Sequence, residues 1–129
     1  MKERIAVVDD DIGNSLFFKI CLEDEGYYAD IYNDPSSFLE KFKPGFYHLL
    51  LCDIRMPRLN GFELAGRVKS IDKDIGICFT TAFVEYYQSI IEKFDNIDLN
   101  CLIEKPTNKK TLIDTITKKI NEIDCRYKL

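Results

Sequence analysis

The sequence of 129 residues contains no long hydrophobic run. No stretch approaches the ~20 consecutive apolar residues that span a bilayer. Residues 1–4 also lack the apolar core of a signal peptide. A phosphate-binding GxxxxGKS or GxxxxGKT loop is absent too. We therefore expect a cytoplasmic protein with no membrane association and no ATP site of this kind.

Positive charge is also in the minority. Lys and Arg together number 18 against 22 for Asp and Glu, so the net charge is −4. Binding to nucleic acid needs a basic face, and this balance argues against nucleic acid as a ligand. The contents of 46% hydrophobic and 31% charged residues are ordinary for a globular protein. The length predicts a single domain over residues 1–129.

The five cysteines form no CxxC pair, which argues against a zinc site. Four of them, Cys21, Cys52, Cys78 and Cys101, lie among apolar neighbours, and Cys125 lies near the C-terminus. We interpret them as small hydrophobic residues with free thiols in a reducing compartment.

Short apolar runs alternate along the chain with segments of helical periodicity. The predicted strands are residues 5–8, 28–32, 48–52, 75–80 and 99–103. The apolar faces predicted for the first, fourth and last helices are Ile12, Leu16, Phe17, Ile20 and Cys21; Tyr86, Ile90, Ile91 and Phe94; and Leu112, Ile116, Ile120 and Ile123. Lys118 and Lys119 are expected on the solvent side of the last helix. The alternation predicts an α/β fold, a five-stranded parallel sheet with helices on both faces.

Polar residues follow the predicted strands at the edge where such sheets bind ligands. Asp9 and Asp10 follow the first strand, Asp53 the third, Thr80 and Thr81 end the fourth, and Lys105 follows the fifth. We expect these side chains to meet at one edge of the sheet. Asp11 reads instead as a helix cap or a solvent-facing residue.

Carboxylates a few ångströms apart repel one another unless some are protonated or a cation lies among them. With oxygen ligands alone and no histidine nearby, Mg²⁺ is the natural cation. An aspartate can also accept a phosphoryl group covalently. Transfer then depends on positioning and on neutralising the phosphoryl oxygens, for which Mg²⁺, Lys105 and the Thr81 hydroxyl are suited.

Four segments in order resemble the receiver domain of two-component response regulators: residues 7–10, residues 51–57 with Asn60 and Gly61, the pair Thr81-Ala82, and the pair Lys105-Pro106. The resemblance covers essentially the whole chain. It implies the flavodoxin-like strand order 2-1-3-4-5.

The resemblance assigns a role to each matching residue. Asp53 is the implied phosphoacceptor. Asp10 and Asp53 are implied to bind Mg²⁺ directly, with the backbone carbonyl of Arg55 as a third ligand and Asp9 assisting. Thr81 is implied to hydrogen-bond the phosphoryl group, and Lys105 to pair with Asp53 or its phosphate. The Lys105-Pro106 bond is cis in many relatives.

The resemblance also implies partners. The phosphoryl group comes from the phosphohistidine of a histidine kinase or a phosphotransfer protein. A surface made by the fourth helix, fifth strand and fifth helix then changes its preference for a downstream target or an effector domain outside this chain. The implied domain is regulatory rather than an enzyme, promoting only its own phosphorylation and dephosphorylation, and is a monomer or a weak phosphorylation-dependent homodimer.

Three positions bear on how activation proceeds. Leu102 stands where the family often has Tyr or Phe, so the usual relay from threonine to an aromatic ring is altered. Arg55 and Phe83 lie two residues after Asp53 and Thr81, where side chains tune kinetics. A bulky Phe83 is expected to obstruct the attack of water.

Two other functions remain open at this point. The run from Asp9 to Asp11 superficially fits the D-x-D motif of haloacid-dehalogenase phosphatases, in which Asp9 would be the nucleophile. The chain is short for that class, and no acidic pair follows a later strand. A receiver-like interaction module that takes no phosphate is the other alternative, with Leu102 in its favour.

Overall fold

The computed structural model describes residues 2–91 and 101–127, with side chains described for residues 2–87 and 101–123. The strands are β1 (Arg4–Val8), β2 (Tyr28–Tyr32), β3 (Leu49–Asp53), β4 (Gly76–Thr81) and β5 (Leu102–Glu104). The helices are α1 (Ile12–Asp24), α2 (Pro35–Lys41), α3 (Gly61–Ile71), α4 (Val84–Ile91) and α5 (Lys109–Tyr127). All strands pair in parallel in the order β2-β1-β3-β4-β5, which confirms the predicted sheet.

Side-chain caps fix the beginnings of four helices, among them α5, where Asn108 Oδ1 accepts from the backbone N–H of Thr111 at 2.8 Å. The carboxylates of Asp11 and Asp34 accept hydrogen bonds from the backbone N–H groups of Asn14 and Ser36, at 3.0 and 3.2 Å. The side-chain oxygen of Asn60 likewise caps α3 by accepting a hydrogen bond from the backbone N–H of Glu63. Each cap satisfies one of the N–H groups that a helix leaves unpaired in its first turn. The cap predicted at Asp11 is confirmed.

The core lies on both faces of the sheet. Leu50 and Cys52 of β3 face the side covered by α2 and α3, whereas Leu49 and Leu51 face the side covered by α1 and α5. We call the second side the α1/α5 face. The predicted apolar stripe of α5 packs there, with Leu112, Ile116, Ile120 and Ile123 all buried. A strand covered on both faces explains why β3 is apolar throughout.

The apolar face predicted for α1 is wrong. Of its members only Cys21 is buried, while Ile12, Leu16 and Ile20 are 68%, 48% and 59% exposed. The side of α1 that packs on the sheet consists of Ser15, Phe18, Cys21 and Leu22. Apolar residues lie on both sides of this helix, so its periodicity is compatible with either side packing on the sheet.

The interpretation of all cysteines as free thiols is also wrong. Cys78 and Cys101 form a disulfide, with their Cα atoms 4.7 Å apart. Register explains the pairing, because Phe79 of β4 lies opposite Leu102 of β5 and the residue before each is a cysteine. Cys21 and Cys52 are free and buried, as predicted.

Three smaller predictions change as well. Tyr86, predicted on the apolar face of the fourth helix, is 64% exposed. Lys119 is buried rather than on the solvent side, because it lies seven residues after Leu112 on the buried side of α5. The fifth strand begins at Leu102. Positions 94, 99 and 100 of the predicted elements lie outside the described residues, as do the side chains of Ile90 and Ile91. Across the residues that the structure describes, no helix has the length and hydrophobicity to cross a membrane.

Candidate functional site

The acidic residues predicted to meet at the carboxyl edge of the sheet do so. Asp9 directly follows β1, and Asp53 is the last residue of the neighbouring β3. Both are buried, whereas Asp10 is exposed. Each of the three carboxylates offers an oxygen within 4.8 Å of the others. The cluster therefore has two buried members and one side open to solvent.

The Lys105 ammonium joins this cluster from the far side of β4. Its Nζ lies 3.3 Å from Asp9 Oδ2 and 3.3 Å from Asp53 Oδ2. A backbone hydrogen bond fixes the position of the Lys105 main chain beside β4, because Lys105 N donates to Thr81 O at 2.8 Å. The Lys105-Pro106 peptide is cis, as the resemblance implied. The single Lys105 ammonium thus forms ion pairs with two buried carboxylates.

Backbone N–H groups supply further bonds to the two buried carboxylates. Asp9 Oδ1 accepts from the N–H of Asp11 at 2.9 Å. Asp53 Oδ1 accepts from the N–H of Arg55 at a longer 3.4 Å. These bonds favour the ionised carboxylates and orient them toward the common edge.

Burial nevertheless raises the pKa of Asp9 and that of Asp53 above the ordinary value of 3.8. The Lys105 ammonium opposes this rise at both groups, and the negative charge of Asp9 raises the pKa of Asp53 further. The site therefore holds more negative charge than its own cation balances. Oxygen donors with one open side are what Mg²⁺ takes in proteins, so these residues fit that ion.

The resemblance includes Gly61 without assigning it a role, but the site depends on it. A Cβ built on Gly61 would lie 2.4 Å from the backbone oxygen of Asp53 and 2.9 Å from the Cα of Ile54. Its N–H also donates to Ile54 O at 2.8 Å. Only glycine lets α3 begin this close to the end of β3.

Thr81 ends β4 beside the cluster, and its hydroxyl accepts a hydrogen bond from the backbone N–H of Phe83 at 3.0 Å. In the described residues this hydroxyl contacts the loop after β4 rather than the carboxylates. The Arg55 guanidinium lies 5.3 Å from the centre of the Phe83 ring, a cation–π contact between two exposed side chains. This contact links the loops that follow β3 and β4.

A shallow cleft of about 180 Å³ adjoins Lys105 on the α1 side. It is lined by Asn14, Phe17, Phe18, Lys105, Pro106 and Thr107. Phe17, an exposed apolar residue of α1, therefore lies at the edge of the sheet that carries the acidic cluster.

A family model described as the response regulator receiver domain matches residues 5–117, a span that contains every residue of this site. The chain belongs to this family. As a receiver domain of two-component response regulators it has a phosphoacceptor signalling function. The family match therefore favours this function over the phosphatase alternative.

Individual relatives agree with the family assignment. The receiver domain is 37% identical over 81 residues to the response regulator receiver protein CpdR of Brucella abortus, covering 63% of this chain and 68% of that protein. It is 30% identical over 122 residues to the transcriptional regulatory protein RprY of Bacteroides fragilis, covering 92% of this chain and 51% of the relative. The chain thus spans about half the length of this regulator.

The fold also has a close structural neighbour. A CheY-like response regulator receiver domain protein from Methanospirillum hungatei superposes with a TM-score of 0.85 at 28% identity. The superposition covers 98% of this chain and 99% of that one. The strand order and helix arrangement are therefore those of a receiver domain.

Proposed function

We propose that this receiver domain accepts a phosphoryl group on Asp53 from the phosphohistidine of a histidine kinase or phosphotransfer protein. Asp9, Asp10 and Asp53, with the backbone carbonyl of Arg55, would hold the Mg²⁺ that this transfer needs. The observation that carries the proposal is the meeting of three carboxylates with the Lys105 ammonium at one edge of the sheet.

The transfer moves one phosphoryl group between two nucleophiles. An Asp53 carboxylate oxygen bonds to phosphorus, the bond from phosphorus to the imidazole nitrogen breaks, and its electron pair stays on that nitrogen. Bound Mg²⁺ supplies neutralisation of the phosphoryl charge. Lys105 adds a second positive charge, and burial excludes water that would screen it. Positioning and charge thus account for the chemistry, and no nucleotide site is needed.

The donor's approach is favoured by the exposed face of α1. Ile12, Leu16 and Ile20 are at least 48% exposed on this helix, and the adjoining cleft reaches Lys105. Apolar surface beside a polar site is typical of protein docking surfaces. A donor protein seated on α1 would hold its phosphohistidine near Asp53.

The response is proposed to pass through Thr81 to the surface formed by α4, β5 and α5. Leu102, partly buried against the core, occupies the β5 position where an aromatic ring often acts. Without that ring, movement of Thr81 would act on the loop that begins α4, to which its hydroxyl is bonded. The partner of this surface would be a downstream protein or an effector domain.

The wider setting follows from the same proposal. Residues 1–129 would form one receiver domain, working in the cytoplasm as a regulator rather than an enzyme with an external substrate. A monomer, or a dimer that forms weakly on phosphorylation, would suffice for signalling.

Intact-protein mass spectrometry tests the proposal. The wild-type chain is incubated with acetyl phosphate and Mg²⁺ beside the variants Asp53→Asn and Asp9→Asn. We expect one hydroxylamine-labile phosphoryl adduct on the wild type, none on Asp53→Asn, and a reduced but detectable adduct on Asp9→Asn. An adduct that survives in Asp53→Asn and disappears in Asp9→Asn would favour the phosphatase chemistry. No adduct on the wild type would favour the phosphate-independent interaction module.

A further inference from the structure

Thr80 is a buried residue whose side chain has no assigned role. It is 1% exposed, and its hydroxyl is the one buried side-chain polar atom without a hydrogen-bond partner among the residues described here. An unpaired buried hydroxyl costs stability, which is why such groups are rare in folded proteins. The position of Thr80 indicates what its hydroxyl is for.

Strand register puts Thr80 beside the phosphoacceptor. Thr80 pairs with Asp53 of β3 on one side and with Ile103 of β5 on the other. Paired residues of parallel strands point to the same face of a sheet. Since Ile103 packs on the α1/α5 face, Asp53 and Thr80 point there as well.

The Lys105 side chain passes over this position. Lys105 follows β5, yet its Nζ lies between Asp53 of β3 and Asp9 after β1, and β4 lies between β5 and β3. Lys105 lines a cleft with Phe17 and Phe18 of α1, so its side chain lies on the α1/α5 face. Its stem must therefore cross the end of β4 on the side to which Thr80 points.

The two groups complement each other chemically. An ammonium has three N–H donors, and Lys105 directs two of them to Asp9 and Asp53. A hydroxyl can accept a hydrogen bond, and rotation about the Cα–Cβ bond exchanges its place with that of the methyl group. Thr80 thus offers a buried, unpaired acceptor on the face of the sheet that Lys105 crosses.

We propose that Thr80 is a positioning residue for phosphotransfer: when the carboxylates are engaged by the metal and the phosphoryl group, its hydroxyl accepts a hydrogen bond from Lys105 and holds the ammonium over Asp53. Thr80 is not a ligand of the metal and does not touch the phosphoryl group. The inference rests on the proposed transfer to Asp53.

Isosteric substitution separates this role from a packing role. The variant Thr80→Val keeps the shape and removes the hydroxyl, whereas Thr80→Ser keeps the hydroxyl. Thr117→Val is the matched control, because it removes a hydroxyl on α5 that bonds Tyr27 instead. Phosphorylation by acetyl phosphate is timed for each, and Mg²⁺ affinity is measured by calorimetry.

We expect Thr80→Val to take up the phosphoryl group about tenfold more slowly than the wild type, the effect of losing one hydrogen bond to a charged group. Thr80→Ser should recover the rate to within about twofold, and Thr117→Val should match the wild type. Mg²⁺ affinity should stay within about twofold in all four proteins, because none of the substitutions removes a metal ligand. In a Lys105→Ala background, Thr80→Val should cause no further slowing.

A wild-type rate in Thr80→Val overturns the inference, as does an equal slowing in the Lys105→Ala background. A loss of Mg²⁺ affinity that matches the loss of rate also overturns it, because the hydroxyl would then act through the metal. Failure of the wild type itself to take up a phosphoryl group is a different result, since it removes the proposed function on which the inference rests.

Discussion

At the scale of single residues, Asp53 combines burial with a neighbouring carboxylate of the same charge. Burial raises its pKa above 3.8, and Asp9 raises it further. Between the unfolded and the folded pKa, the folded protein therefore binds more protons than the unfolded chain. The contribution of Asp53 to stability is fully present below about pH 4 and is lost as the pH rises through the folded-state pKa.

The substitution Asp53→Asn should therefore stabilise the metal-free protein at pH 7. The gain should shrink as the pH falls through the folded-state pKa of Asp53, because the wild-type carboxyl then becomes protonated as well. Urea unfolding in a chelator from pH 4 to 7 measures the gain. Asp114→Asn, which changes an exposed carboxylate on α5, should stay within about 0.5 kcal/mol of the wild type. A gain that grows on acidification would contradict this reading.

Gly61 and Gly66 form a matched pair on α3. Gly61→Ala would place a methyl group 2.4 Å from the backbone oxygen of Asp53, whereas Gly66 has no neighbouring atom within 4 Å of such a group. We expect Gly61→Ala to lower the free energy of unfolding by about 1–3 kcal/mol and to slow phosphorylation. Gly66→Ala should raise stability by about 0.5–1 kcal/mol and leave phosphorylation unchanged. Equal effects of the two in chemical denaturation would refute the close approach.

Phe83 is expected to shield the phosphorylated Asp53 from water, since its exposed ring is held beside the site by Arg55 and by the bond to Thr81. Phe83→Ala should shorten the half-life of the phosphorylated form several-fold, roughly 1 kcal/mol in the hydrolysis barrier. Phe46→Ala is the control, because Arg4 lies over that ring near the start of β1, at the opposite edge. An unchanged half-life in Phe83→Ala would end the shielding hypothesis.

At the scale of elements, strands were easier to predict than the orientation of helices. A buried parallel strand such as β3 is a continuous apolar run ended by a polar residue, and this pattern predicts a strand covered on both faces. Helix α1 has apolar side chains on both sides, so spacing alone did not tell which side packs on the sheet. The disulfide between Cys78 and Cys101 depends on the register of β4 and β5, which local sequence does not contain.

The exposed face of α1 should matter to a protein donor and not to a small one. The double variant Leu16→Ser with Ile20→Ser should slow transfer from a phosphorylated histidine protein about tenfold or more while leaving phosphorylation by acetyl phosphate unchanged. Ile71→Ser is the control, as Ile71 is 48% exposed on α3, the same fraction as Leu16. Equal slowing with both donors would show damage to the site rather than loss of docking.

At the scale of the whole molecule, topology explains why most of the site could be predicted. Parallel strands end at one edge, so the polar residues at the ends of β1, β3 and β5 had to meet once the strand order was known. Thr80 is expected at this edge and Gly61 lies in a segment that carries the resemblance, but the sequence assigns neither a role, because their importance lies in register and close approach. Neither property is visible in residue type or spacing.

The account's central claim is that Asp9, Asp10, Asp53 and Lys105 form one site for a divalent cation and a transferable phosphoryl group. A crystal structure grown with Mg²⁺ and beryllofluoride, which mimics an acyl phosphate, tests it most directly. We predict beryllium bonded to an Asp53 oxygen, Mg²⁺ beside Asp10 and Asp53, and Lys105 against a fluorine. Beryllofluoride bonded at Asp9, or a site that binds neither species at saturating concentrations, would contradict the claim.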